Sequence, residues 1–208
     1  MNIGIIGKGF VGSAVEHGFS CNENFRAKIK VYDINPELSS HSLSETINTS
    51  DYIFLSVPTP ANEDGSCDMS NVIDVLNDTH TAKPVLIKST ISIQGWEQIN
   101  QLFPNHTISF SPEFLRAEHA IEDMLATKTI YLGGGHFYFW QRILDRIDQT
   151  VRIKHAHPRD LILAKYFRNS FLATKVAFFN QVYDLCEAAG CEHKAVISLI
   201  TDDHRIGD

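Results

Sequence analysis

Short, almost wholly apolar runs recur along the first three-quarters of the chain. Each is followed by a segment whose apolar positions repeat at helical spacing. The runs predict strands at Asn2–Ile6, Lys28–Tyr32, Tyr52–Val57, Val85–Lys88, His106–Ser109, Thr129–Leu132 and Thr150–Ile153. Between them, helical patterns fall near 10–19, 42–48, 69–80, 92–102, 114–124 and 136–148. Strands rich in Ile and Val that alternate with helices make βαβ units. Right-handed crossovers then put helices on both faces of a mostly parallel, doubly wound sheet, so the fold class is α/β.

The rhythm breaks near residue 157. From Pro158, suited to a first helical turn, to Gly190, a natural helix stop, no breaker intervenes over 32 residues. A helix of that length would run about 48 Å. Of the 29 residues from Leu161 to Ala189, 19 are apolar or aromatic, more than one buried stripe needs. The expected organisation is therefore a first domain over 1–156, then a spine helix and the start of a helical domain over 157–208. The helix is read as joining the first domain to another domain or another subunit, with a homodimer through 158–189 expected.

Composition narrows the function. The net charge is −7, with 18 basic and 25 acidic residues, which argues against a nucleic-acid partner. No apolar run reaches the roughly 18 residues of a membrane span, so no membrane partner is expected. The opening MNIGIIGKGF has its lysine after the apolar run and no cleavage pattern, unlike a signal peptide. Cysteines at 21, 67, 186 and 191 form neither a CxxC nor a dense framework, and no metal site is expected. A reduced, cytoplasmic setting fits them.

The first strand runs directly into Gly7-Lys8-Gly9-Phe10-Val11-Gly12, a GxGxxG loop opening a helix. Gly7 can make the tight turn, Gly9 lets backbone approach a pyrophosphate, and Gly12 lets helix and strand pack closely. Helix N–H groups then face the phosphates. The second strand ends in Asp33, 21 residues after Gly12, where an acid can accept from both ribose hydroxyls. That charge would repel a 2′-phosphate, and no arginine follows it directly, so NAD is expected rather than NADP. Loop, strand and acid together define a Rossmann-like domain.

Three further loops, at 57–60, 89–95 and 111–116, fall at the carboxyl ends of predicted strands, where open α/β sheets bind ligands. On the long helix, Lys165 and Asn169 are four residues apart and share a face. An ammonium beside an amide suits stabilisation of an alkoxide or oxyanion.

Several motifs occur in order. Val57-Pro58-Thr59-Pro60 and ANEDGSCDMSNV follow the third strand, and Lys88-Ser89-Thr90 with Gly95 gives an ST-x4-G pattern after the fourth. Ser111-Pro112-Glu113-Phe114-Leu115-Arg116 follows the fifth, Lys165-Tyr166-x-x-Asn169-x-x-Leu172-Ala173-x-Lys175-Val176 sits on the long helix, and Asp203-His204-Arg205-Ile206-Gly207 comes last. Together these resemble the UDP-glucose/GDP-mannose dehydrogenase family over nearly the whole chain. The resemblance implies oxidation of a UDP-sugar alcohol twice, UDP-glucose to UDP-glucuronate, with two hydrides passed to two NAD molecules. It implies cofactor contacts from Gly7, Gly9, Phe10, Val11, Gly12, Asp33, Val57, Pro58, Thr59 and Thr90. Thr90 would orient a water or the reacting hydroxyl, and Glu113 would line the cofactor–substrate junction. Phe114, Leu115 and Arg116 would pack beside the sugar, Lys165 and Asn169 would stabilise the developing oxyanion, and Arg205 would reach a substrate held by the partner subunit.

The match departs from the family twice. Ala117-Glu118 stands where the family commonly has Glu-Gly after SPEFLR, and none of the four cysteines sits in the family's glycine-rich cysteine loop, expected after Asp208. Two other readings stay open. One is a β-hydroxyacid dehydrogenase, which pairs GxGxxG with a helical Lys-x-x-x-Asn and needs no cysteine. The other is a non-catalytic NAD-binding or interaction protein derived from the family.

Overall fold

Tyr52-Ile53-Phe54-Leu55 forms a strand with no solvent face: all four side chains are buried, Tyr52 and Phe54 in one apolar cluster and Ile53 and Leu55 in another. Alternation between two cores is what a strand covered on both sides requires, and it explains why the run is continuously apolar. The computed structural model describes residues 1–21, 28–80, 82–145 and 151–207. Their contacts divide the chain into two units, Met1–Lys165 and Tyr166–Asp208.

Among the described residues of the first unit, seven strands form one sheet. They are β1 (Asn2–Ile6), β2 (Lys28–Tyr32), β3 (Tyr52–Leu55), β4 (Val85–Ile87), β5 (Ile108–Phe110), β6 (Thr129–Gly134) and β7 (Arg152–His155), in the order β2-β1-β3-β4-β5-β6-β7. β1 to β5 are parallel, as the βαβ rhythm predicts. β6 turns antiparallel to β5, pairing Ser109 with Gly134, and β7 runs parallel to β6. The predicted strand start at Thr150 and the end of the helix predicted to 148 lie outside the described residues.

Helices α1 (Phe10–Ser20), α2 (Leu43–Thr49), α3 (Ser70–Asn77), α4 (Ile93–Leu102), α5 (Ala120–Ala126) and α6 (Phe137–Leu144) connect the strands. One core layer takes Val72, Leu76, Trp96 and Ile99 from α3 and α4; the other takes Val15, Phe19, Trp140 and Ile143 from α1 and α6. Ser42 and Ser92 cap α2 and α4 by accepting from Glu45 and Gly95 N–H groups. One helix begins later than its apolar spacing predicts. α5 starts at Ala120 rather than 114, after a short 3₁₀ turn at Ala117–His119. Residues 111–116 are held out of the helix because Arg116 is extended and both its N–H and its guanidinium bind Asp123.

α7 spans Pro158–Ala189 as the absence of breakers predicts, and Gly190, at φ +67°, ends it in the left-handed region. In the second unit α8 (His193–Thr201) follows, and Lys175 donates to the Gly207 carbonyl at 3.2 Å. Large apolar side chains stand in solvent along this part of α7: Phe167, Phe171 and Leu185 are each more than two-thirds exposed. Among the described residues, no helix is long and apolar enough to cross a membrane.

Candidate functional site

β1 and β3 are neighbours whose connections leave in opposite directions, from β1 to β2 on one side and from β3 to β4 on the other. Crevices at such a switch point are where open α/β sheets take their ligands. The glycine loop lies there. Gly7 has φ +90°, and a Cβ on it would fall 2.5 Å from the Ser56 carbonyl oxygen at the end of β3. A Cβ on Gly12 would fall 2.0 Å from the Gly7 carbonyl oxygen. Only glycine permits either approach. Gly9 is different: a Cβ there would meet nothing, so the protein leaves that space open beside the start of α1. Gly9 is also the N-cap of α1 and offers no side-chain cap, which leaves first-turn N–H groups for an anion. Phe10 and Val11 flank this opening, half-exposed and half-buried.

Asp33 closes the crevice on the β2 side. Its carboxylate accepts from the Lys8 N–H at 2.6 Å and the Asn35 N–H at 2.9 Å. The Ser39 hydroxyl accepts from the Asp33 N–H and donates to the Asp33 carbonyl, both at 2.8 Å. Each carboxylate oxygen keeps a further lone pair for a diol. An open glycine cradle, free helix N–H groups and a fixed carboxylate fit the diphosphate and adenosine ribose of NAD, and the negative charge disfavours a 2′-phosphate.

The loops after β3 and β4 are tied together. The Ser89 hydroxyl donates to the Val57 carbonyl at 2.7 Å, Asn71 donates to the Pro58 carbonyl at 2.9 Å, and the Thr59 hydroxyl donates to the Thr90 carbonyl. Cys67 also points its thiol at the Thr90 carbonyl, 3.7 Å away.

The most polar part of the interior lies where β4 and β5 end. Lys88, only 6% exposed, pairs with the Glu113 carboxylate at 2.5 Å and donates to the Ser111 hydroxyl at 3.2 Å. Lys165, 8% exposed, reaches the same place from the second turn of α7. Burial, and then the positive charge of Lys88, push its ammonium down to about 8, against the opposing pull of Glu113. Two buried cations against one carboxylate leave an excess of positive charge. Such a place favours an oxygen that becomes negative during reaction.

Phe114 stacks edge-on against Tyr131 of β6 with ring centres 6.2 Å apart, and Leu115 is half-buried. Arg116 directs its exposed guanidinium onto Asp123, with Nη2–Oδ1 at 2.7 Å and Nε–Oδ2 at 3.0 Å. These bonds hold the Asp123 carboxyl at about 2. Asn169 and Arg205 lie in the second unit, both exposed, and Arg205 is paired with Asp203. Among the cysteines, Cys186 is buried, while Cys21 and Cys191 are exposed at the end of α1 and after Gly190.

Sequence reasoning quoted Lys88 as part of a motif but gave it no role. A signal was present: a lysine ending the apolar run Val85-Leu86-Ile87, in a strand buried on both faces, must find a buried partner.

The sheet, its switch point and the glycine cradle define a dinucleotide-binding domain. Residues 35–143 match the NAD binding domain of the UDP-glucose/GDP-mannose dehydrogenase family, and residues 162–208 match its central domain. The chain belongs to that family, and its cofactor is NAD. UDP-glucose 6-dehydrogenase of Rickettsia bellii is 31% identical over 247 residues, covering all of this chain and 57% of that protein. This chain therefore spans little more than half the length of the curated relatives it matches. A UDP-glucose dehydrogenase structure from Pyrobaculum islandicum superimposes with a TM-score of 0.79 at 24% identity, over 99% of this chain and 57% of that one. A 3-hydroxyisobutyrate dehydrogenase structure from Mycobacterium tuberculosis gives 0.72 at 19%, over 97% and 70%. The fold alone therefore serves hydroxyacid and nucleotide-sugar enzymes alike, and it is the family match that separates them.

Proposed function

We propose that this chain binds NAD and carries the hydride-transfer site of a cytoplasmic nucleotide-sugar dehydrogenase that converts UDP-glucose to UDP-glucuronate. The observation that carries the reading is the buried group of Lys88, Glu113 and Lys165 beside the Thr90 loop. When bound, NAD accepts a hydride from the alcohol carbon. The residues of the chain do the rest. Gly7, Gly9 and Gly12 admit the diphosphate to the first turn of α1, and Asp33 holds the ribose. Thr59 fixes the Thr90 backbone, so that the Thr90 hydroxyl can orient the reacting alcohol or a water. Lys165 meets the alcohol oxygen as its proton leaves and charge builds there, with Asn169 as a second donor and Glu113 and Lys88 setting the local field. Phe114, Leu115 and Arg116 shape the sugar's side of the site. The second oxidation, in the family, passes through a cysteine in a glycine-rich loop, and none of the four cysteines of this sequence lies in such a loop.

The test is turnover of the intact protein with UDP-glucose, GDP-mannose and a small β-hydroxyacid, counting NADH per substrate. Lys165→Ala should lower turnover with UDP-glucose by roughly 10²-fold, as for loss of an oxyanion donor. NAD affinity should stay nearly unchanged, because the interaction strengthens only in the transition state. Equal turnover on the hydroxyacid would sink the sugar assignment, and NAD binding with no turnover on any of the three would favour the non-catalytic reading.

A further inference from the structure

Among the described residues from Tyr166 to Gly207, one is buried, and it is a cysteine: Cys186, 6% exposed near the end of α7. The chain that follows brings a second thiol back to it. Gly190, at φ +67°, reverses the backbone. The Gly190 N–H then donates to the Glu187 carbonyl at 3.3 Å, and the Cys191 N–H donates to the Cys186 carbonyl at 2.9 Å. In this double closure the side chain three residues before the helix's last residue meets the one two residues after it. With Ala189 as the last residue, Cys186 and Cys191 hold those two places. With standard bond lengths, the 2.9 Å bond keeps their Cα atoms within about 6.8 Å of each other. That lies inside the range a disulfide spans. The Cys191 thiol also turns back over the helix end, 3.9 Å from the Ala189 carbonyl. Cys191 is exposed and Cys186 is buried, so a reagent in solution reaches the first and only the first reaches the second.

We propose that Cys186 and Cys191 form a redox modification site, closed to a disulfide by exchange with a small disulfide of the glutathione class. Cys191 loses its proton to solvent, and its thiolate attacks one sulfur of the small disulfide. A mixed disulfide forms and the first small thiolate leaves, taking up a proton. Cys186, deprotonated in turn, attacks the Cys191 sulfur, and the second small thiol leaves in the same way. The chain gives up two thiol hydrogens with two electrons, and the small disulfide is reduced to two thiols. An excess of the small thiol runs the exchange backwards, so a reducing setting keeps the pair open. The closed form ties the last turn of α7 to the residue just before α8, across the glycine on which the helix end would otherwise fray.

The test exposes the intact protein to mixtures of glutathione and glutathione disulfide, quenches with acid, and alkylates the thiols that remain. Trypsin leaves both cysteines in the single peptide 176–194, which is then weighed. As the disulfide fraction rises, that peptide should lose two hydrogens, take up no alkyl group and carry no glutathione. Cys186→Ser should stop at the mixed disulfide, with glutathione retained on Cys191. Cys191→Ser should leave Cys186 unmodified, because the buried thiol lacks the exposed one that starts the exchange. In the closed parent, amide exchange at Gly190 and Cys191 should slow by roughly tenfold or more, because the helix end can no longer open. A parent peptide that retains glutathione on Cys191, or that stays reduced in glutathione disulfide alone, overturns the proposal. So does a Cys186 that takes glutathione in Cys191→Ser, or exchange at the two amides that closure leaves unchanged. None of these readouts depends on turnover, so the result stands apart from the function proposed above.

Discussion

The backbone N–H of Lys8 donates to the Asp33 carboxylate at 2.6 Å, so one hydrogen bond joins the first turn of the glycine loop to the end of β2. Asp33 thus holds the loop in shape, and on the function proposed above it also takes the ribose. Asp33→Ala should lose both and weaken NAD binding by about 1–3 kcal/mol, the range for leaving polar partners unmatched. Asp33→Asn keeps an acceptor for Lys8 but drops the charge, and should narrow the gap between NAD and NADP. Calorimetry with both cofactors checks this; NADP bound by the parent as tightly as NAD would refute it.

Two glycines of one loop should fail in different ways. A Cβ on Gly12 would collide with the Gly7 carbonyl, whereas a Cβ on Gly9 would meet only open space. Gly12→Ala should thus lower the thermal midpoint of the cofactor-free protein. Gly9→Ala should leave that midpoint alone yet weaken NAD binding at least tenfold, because the methyl occupies the space the diphosphate needs. Thermal melts with and without NAD separate the two.

Burial of Lys165 has a stability consequence whose sign is unusual for a protein group. The unfolded chain holds that proton to 10.5, the folded chain only to about 8. Between those values the unfolded state binds more protons, so stability from this residue rises with pH. Below about 8 the penalty is present in full, on the order of 3 kcal/mol. Lys165→Met should therefore be more stable than the parent at pH 7, with the advantage shrinking toward pH 10. Chemical denaturation at both pH values is the check, and a constant difference would contradict it.

Asp123 clamps the loop that carries Glu113 by binding both the N–H and the guanidinium of Arg116. Asp123→Asn should speed amide exchange at Arg116 without unfolding the sheet. In the parent the clamp should open only in strong acid, as the pH falls toward 2, because Asp123 stays ionised to about that value. Exchange rates at Arg116 unchanged in the variant would show the clamp to be incidental.

α7 holds Phe167, Phe171 and Leu185 in solvent, and large contiguous apolar patches mark interaction sites. A two-fold pairing through 158–189 would cover these side chains with a second copy. Sedimentation at micromolar concentration should give a dimer, and Phe171→Glu should shift it toward monomer. A clean monomer for the parent counts against the pairing.

The central strands were legible because β1, β3, β4 and β5 are buried almost throughout, and continuous burial writes a continuous apolar run. α7 was legible from Pro158 to Gly190 because both of its ends carry residues with a backbone reason to be there. The site was only partly so. Asp33 and the glycines are read from local geometry, and local geometry is what a sequence encodes most directly. Lys88 was missed because its partners Ser111 and Glu113 lie on the loop after the next strand, and distance along the chain conceals that. The late start of α5 was missed for a different reason: helical spacing begins at 114, but Arg116 is held by Asp123 instead.

The reversal of β6 and β7 has a consequence for how this gene can change. Because β7 ends beside Leu132, one residue before Gly133 meets Phe110, the chain emerges level with the ends of β4 and β5. α7 begins against Gly133 almost at once, with Ala156, Pro158 and Leu161 within about 3 Å of where its Cβ would be. Two helical turns, about 10 Å, then carry Lys165 to Lys88. The link between His155 and Pro158 thus acts as a ruler. One residue inserted there would spare every strand yet rotate Lys165 by about 100° around the helix and take Leu161 and Ile162 out of the core. Insertions and deletions should be tolerated far better in the exposed 61–66 turn than in those two residues, although both segments lack regular structure.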